Sequence, residues 1–438
     1  MSRLFLMCAA ACLSACATIS PNSVMSPAIA QSAVSSPLEQ RIAALPAVLK
    51  GEIAPADYFD AAFLSAVPAD QLDAIAKSII AQYGQPLTIL TIDKKSPTSA
   101  TITVAFEKAL GTFNINVTDG APGKVIGLLA TNFAATGDSL EKIEADFKAL
   151  PGNAGFVITA LNDSGPNTVV AEYNAATQFG IGSTFKLYIL AELASQIEAK
   201  ERSWRDVAPL AHRSFSSAAT DKWPKDTPVT LATLALQMIS VSDNSATDTL
   251  LHLLGRTAVE RKLAQIGHRA PDKMLPFLSS VEAFALKSAA NTDLRNRYLA
   301  ASEAQQRGII NTQQEKLGFD QVDSQAFAGG PVYIDTIEWF AAPYDIVELL
   351  NHMRRTRNDK MLEVLAVNPG LPVATAAKWG YVGYKGGSEP GVISMSYLLH
   401  SKSGQWFAVS GSWNDPAKAV DDFKFSSMMT RLVQTIEK

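Results

Sequence analysis

"FGIGSTFKLYILAEL", residues 179–193, is the stretch on which the fold turns. It sets Ser183 and Lys186 three residues apart where an apolar helix begins, with Gly180 and Gly182 just ahead of the serine. A serine hydroxyl titrates far above neutral pH and is a poor nucleophile until a nearby group takes its proton. A lysine can take it if burial or a second cation lowers its own pKa. The i, i+3 spacing puts both side chains on one helix face, and the free N–H groups of a helix start favour developing negative charge.

The pattern alone decides nothing, because ordinary Ser and Lys usage yields roughly one or two matches in a chain of this length. Ser139 and Lys142 in "DSLEK" match too, and there a helix N-cap with a solvated lysine is the plain reading. Two features set the second copy apart. Its glycines permit close backbone approach, and "TFKLYILAEL" surrounds Lys186 with apolar residues, so Lys186 is expected to be buried.

A buried lysine needs partners, and two downstream segments offer them. "LQMISVSDNSATDTLLHLL" contains Ser242, Asp243 and Asn244, a tripeptide that average usage yields only about a twentieth of the time by chance. On its own it also reads as a helix cap, with Ser242 or Asp243 opening the helix that follows. "GYKGGSEPGVISMSYLL" carries Lys385, Gly386 and Gly387 into a strand, where the glycines would let a substrate lie along the strand edge beside the lysine ammonium. A second lysine triplet, Lys402, Ser403 and Gly404, sits between two apolar runs and reads as a hairpin turn.

SxxK, SDN and a KTG-like triplet, in that order, resemble the set of class A β-lactamases and penicillin-binding proteins. The resemblance covers about 138–438. It implies a β-lactamase/transpeptidase-like α+β domain: an antiparallel sheet with helices on both faces and a helical subdomain. It also implies roles: Ser183 would be acylated, Lys186 would serve in its activation, and Ser242 would relay a proton to the leaving atom. Asn244 would hold the substrate's side-chain amide, and Lys385 would place positive charge near its carboxylate. Gly386 and Gly387 would admit substrate to the strand edge, and the N–H groups of Ser183 and Ser388 would form an oxyanion hole. The set implies a small-molecule substrate (β-lactam, ester or cell-wall peptide) and no cofactor or metal.

Two departures stand out. Gly386 occupies the middle of the triplet where a Thr or Ser hydroxyl would bind the substrate carboxylate, a role Ser388 is placed to take. The ExxLN segment that positions a deacylating water is absent. In its region lies "HRAPDKMLPFLSSVEAFALKSAANTDLRNRYLAASEAQQRG", whose Glu282 reads as a solvent-facing helix residue, with a deacylating role as the alternative.

The rest of the chain fits an exported hydrolase. Its 438 residues exceed one ordinary domain. With 38 Lys+Arg against 42 Asp+Glu the net charge is −4, and no basic run suggests nucleic acid. "MSRLFLMCAAACLSACATIS" reads as a secretory signal, and its "LSAC" resembles a lipobox in which Cys16 would be lipidated; an ordinary signal peptide cut nearby is the alternative. A lipoprotein of the periplasm or cell envelope, touching membrane only through its anchor, is the corresponding expectation. All three cysteines lie in residues 1–16, so the mature chain is expected to have no disulfide. The five histidines lack paired metal spacing, and no GxSxG occurs, which argues against zinc and α/β-hydrolase mechanisms.

Residues 17–37, rich in Ser, Pro and Ala, read as a tether. Over 38–136, helical spacing in "PADQLDAIAKSIIAQYG" is followed by four strand-like runs, which predicts a small α+β unit. The leading α+β unit, the SDN context and the long insertion together resemble two-domain serine hydrolases of the clavulanate-cluster type, whose N-terminal domain is ketosteroid-isomerase-like. Members of that group are associated with weak β-lactamase and cephalosporin esterase activity. The strand pair after Ser139 and the last two strands are expected to share one sheet.

Overall fold

The computed structural model describes residues 35–217 and 219–436. The signal segment, Cys16 and most of the tether lie outside the described residues. Residues 37–438 are drawn together as one compact unit.

Its leading part is a four-stranded antiparallel meander, Pro86–Ser96, Ser99–Phe106, Ala109–Val117 and Val125–Ala135. Strand Ser99–Phe106 alternates buried and half-buried residues along its whole length, the period of a sheet with one covered face. That face buries Ile102, Val104, Phe113 and Ile115 against Leu38, Ile42 and Leu45 of helix Pro37–Leu49 and Ile79 of helix Ala69–Tyr83. The second helix stops at Gly84, whose φ of +77° is the region only glycine enters freely.

This part is fastened to the rest by the C-terminal helix Asp422–Ile436. Arg431 holds Asp138 through two hydrogen bonds of 2.7 and 2.9 Å and Asp146 through one of 2.6 Å. Both Arg431 and Asp138 are nearly buried, so their pairing offsets part of the cost of desolvating them. Tyr83 Oη and Ser427 Oγ are also bonded across this seam.

The larger sheet has five antiparallel strands in the order Tyr381–Glu389, Val392–His400, Trp406–Asn414, Asn153–Leu161, Thr168–Tyr173. The first hairpin and the last strands do share one sheet. Strand Val392–His400 is buried at every position but its last, because both faces are covered. One face packs Phe156, Ile158, Val409 and Trp413 against helices Leu140–Lys148 and Asp422–Ile436. The other meets a helical subdomain built around helix Lys186–Glu198, nearly all of whose residues are buried. On this second face Ser394 pairs with Ser412 and Ser396 with Ser410 across the sheet. These are short side chains, and the turn bearing Ser183 packs against this region. The fold is α+β, its larger antiparallel sheet flanked by helices on both faces.

The two rejected motif copies take their plain roles. Ser139 caps helix Leu140–Lys148 by accepting from Lys142 N, and the Lys142 side chain lies at the surface. Lys402, Ser403 and Gly404 form the turn between the last two strands, where Gly404 has a φ of +97°.

Candidate active site

Ser183 lies in a 3-10 turn, Gly182–Phe185, and helix Lys186–Glu198 starts directly after it. The sequence suggested that Ser183 opens the α-helix; the tighter turn comes first. Lys186 N donates to Ser183 O, the three-residue bond of that turn, and such winding brings side chains three apart into eclipse. The preceding glycines act as expected. Gly182 has a φ of +47°, and a Cβ there would stand 3.0 Å from Ser388 N.

Lys186 is completely buried. Its Nζ donates to Asn244 Oδ1 at 2.6 Å, Ser242 O at 2.7 Å and Ser242 Oγ at 3.0 Å. Burial pulls its pKa down to about 7, with Asp248 and Asp243 opposing the shift. Lys385 Nζ donates to the same Ser242 Oγ, also at 3.0 Å, and to Gly386 O. The hydroxyl of Ser242 thus bridges two lysines that are far apart in sequence.

Within SDN the cap falls to Asp243, while Ser242 and Asn244 meet Lys186. Asp243 caps helix Asn244–Leu254 by accepting from Ala246 N, and its carboxylate also accepts from Thr220 N and Oγ1. Ser242 before it takes a φ of +60°, uncommon for a residue with a Cβ, and Asn244 after it faces Lys186. Asn244 Nδ2 also donates to Phe215 O at 2.7 Å.

Strand Tyr381–Glu389 brings Gly387 and Ser388 to the serine turn and Lys385 to Ser242. At Gly387 a Cβ would lie 2.3 Å from both Ser183 N and Ile181 O, so the strand edge and the serine turn are in backbone contact. The N–H groups of Ser183 and Ser388 therefore border the same space. The Ser388 side chain is exposed. Gly386 has a reason the sequence does not disclose: a Cβ there would lie 2.2 Å from Tyr384 Oη, so a phenol fills the place of the expected hydroxyl residue. The two glycines give an expected contrast. Gly387→Ala meets backbone and is expected to slow acylation of Ser183 about 100-fold, whereas Gly386→Ala meets a side-chain tip that can swing and is expected to cost less than about 10-fold. Stopped-flow acylation of the two variants compares them, and equal rates would show that the strand edge yields.

Glu282 departs from its expected place. It is buried, with one oxygen 2.6 Å from Arg256 and the other accepting from Ser279 N at 2.8 Å in a capping box. It is not solvent-facing, and each of its oxygens already accepts a hydrogen bond. The signal was legible, since Ser279 followed three residues later by Glu282 is the capping-box pattern. Sequence reasoning also passed over Asp248, one helical turn beyond Asn244. It is fully buried, accepts from Ser280 N and Val281 N at 2.7 and 2.9 Å, and burial pushes its carboxyl up to about 6.

Residues 139–314 match the model of the "Beta-lactamase enzyme family". Among solved structures, a β-lactamase from Sphaerobacter thermophilus is similar at 18% identity over 68% of this chain and 94% of that one, with a TM-score of 0.45. A β-lactamase from Chitinophaga pinensis is similar at 16% over 68% and 96%, with a TM-score of 0.46. A mutant of PBP-A, solved as an acyl-enzyme complex with penicillin G, is similar at 14% over 68% and 96%, with a TM-score of 0.45. No curated protein sequence matches this chain. The family match spans Ser183, Lys186 and Ser242–Asn244 and ends before Lys385. The family match begins at 139 and does not reach the small sheet of 86–135.

Proposed function

We propose that this chain, a β-lactamase-family serine hydrolase by fold, opens β-lactams through a covalent acyl-enzyme on Ser183. The observation that carries the reading is Ser242 Oγ, held 3.0 Å from both Lys186 Nζ and Lys385 Nζ, with Lys186 buried and its pKa near 7. A neutral Lys186 takes the proton of Ser183 as Oγ attacks the carbonyl carbon. The oxyanion forms between the N–H groups of Ser183 and Ser388, each such donor typically contributing about 3 kcal/mol. The proton passes through Ser242 to the leaving nitrogen, the C–N bond breaks, and the acyl group stays on Ser183. Lys385 and Asn244 hold the carboxylate and side-chain amide of the substrate, and water then releases the acid. Export by the N-terminal signal, with lipidation at Cys16, belongs to the same proposal.

A second reading uses the same residues for an esterase or a D-Ala-D-Ala-type peptidase. Glu282 favours it, because its oxygens are engaged by Arg256 and Ser279 N in a capping box. Time courses separate the readings. Steady nitrocefin hydrolysis is the expected result; a burst that stalls indicates the peptidase, and acetate release from a 3′-acetoxy cephalosporin indicates the esterase. Absence of a mass adduct on Ser183 with all of these substrates would overturn the acyl-enzyme.

A further inference from the structure

Glu338, Lys287 and Glu389 form a buried ionisable cluster that the chemistry above does not use. They come from three elements: the segment ahead of the short strand Phe340–Ala341, the last residue of helix Ser280–Lys287, and the last residue of strand Tyr381–Glu389. Lys287 Nζ lies 3.2 Å from Glu338 Oε2 and also bonds Glu389 Oε1. Glu338 Oε1 accepts from Gly182 N at 3.1 Å and from Trp339 N at 3.2 Å. Gly180 is a glycine where a Cβ would lie 2.8 Å from Glu338 Cγ, so the acid is packed directly under the segment that leads to Ser183. Arg295 closes the cluster from behind by donating to the carbonyls of Leu286 and Ser288, on either side of Lys287.

The chain positions give this cluster a meaning. Glu338 holds Gly182, the residue before Ser183. Glu389 is the residue after Ser388. We propose that the cluster is a clamp that fixes the spacing of the two oxyanion donors, Ser183 N–H and Ser388 N–H, and that Glu338, Lys287 and Glu389 are positioning residues for the reaction. Its effect on rate rests on the acyl-enzyme reading above, but its effect on the backbone does not. Buried carboxyls around one ammonium stay paired if one carries a proton. Burial and then the adjacent Glu338 carboxylate hold the pKa of Glu389 well above the ordinary value, against Lys287. Lys287, which burial alone would pull down, is held above its ordinary value by Glu338 and Glu389. With the three side chains paired around Lys287, the clamp is expected to loosen if Glu389 ionises as pH rises.

The test uses the full chain. Lys287→Met is expected to lower kcat for nitrocefin roughly 30-fold with KM within about 3-fold, as for a small misplacement of reacting groups. Glu389→Ala is expected to do the same, and Glu389→Gln, which keeps a neutral hydrogen-bonding side chain, to recover most of the loss. The ratio of wild-type to Glu389→Gln rates, which cancels the titration of Lys186, is expected to fall as pH rises. Backbone NMR supplies a readout that needs no turnover: the Gly182 and Ser388 amide signals are expected to shift with pH in the wild type and to stay flat in Glu389→Gln. Flat wild-type signals, or an unchanged kcat in folded Lys287→Met, would overturn the clamp; if that variant does not fold, the Glu389 pair decides. Titrating amides in a protein that no substrate acylates would leave the clamp standing and remove the hydrolase reading.

Discussion

Ser183→Ala is expected to abolish covalent labelling by a fluorescent penicillin, a loss on the order of 10⁴-fold or more in acylation rate. Ser183 is half-buried, and trading its hydroxyl for hydrogen alters neither the turn nor the helix after it. Stability is therefore expected to stay within about 1 kcal/mol of wild type. The rest of the site is untouched: Ser242 still bridges the two lysines, and the strand edge at Gly387 still lies against the turn. The variant should bind penicillin without bonding to it. Intact-mass spectrometry reads this directly, and an adduct on the alanine protein would move the nucleophile to another residue.

Lys186→Met is expected to slow acylation by roughly 10³-fold, about 4 kcal/mol of barrier, in the range for loss of a general base. The pH dependence is the sharper signature. Lys186 can accept a proton only when neutral, so wild-type acylation should rise as pH climbs through about 7 and level off above it. The methionine variant should lack that limb. Stability should respond differently. The substitution strips a donor from Ser242 O and Asn244 Oδ1, yet it also removes a fully buried cation, and such exchanges roughly balance. A protein as stable as wild type within about 2 kcal/mol but nearly inert would separate a functional lysine from a structural one. A wild-type rate that is flat across neutral pH would argue that another group takes the serine proton.

What the sequence disclosed was whatever is written in adjacent residues. The glycines before Ser183, the cap at Asp243 and the glycines after Lys385 each set a local backbone geometry, and each carries a side chain of the site with it. The five-stranded sheet was legible for a similar reason, since turn residues and apolar runs mark its strands at both ends of the hydrolase part. The clamp was not. Lys287 bonds partners 51 and 102 residues away, and no short pattern announces such a meeting. Gly386 was misleading in isolation, because its explanation is the position of the Tyr384 ring and not any property of the triplet. Glu282 was misread because its fate depended on Arg256, on another helix, as well as on its own cap.

The strand order of the large sheet also bears on how the chain reaches this state. Asn153–Leu161 pairs with Trp406–Asn414, and Gln405 Nε2 donates to Leu161 O across 244 residues of chain. Closing so long a loop costs conformational entropy before any pairing rewards it, and such topologies fold slowly. During synthesis, strand Asn153–Leu161 has only Thr168–Tyr173 to pair with, and its other edge stays open until Trp406–Asn414 emerges. Every chain shortened from its C-terminus past Trp406 is left with that open edge, a template for pairing with other chains. Truncated forms are thus expected to aggregate, with no partial activity, because the strand that brings Ser388 against the Ser183 turn is docked by the strands that arrive last.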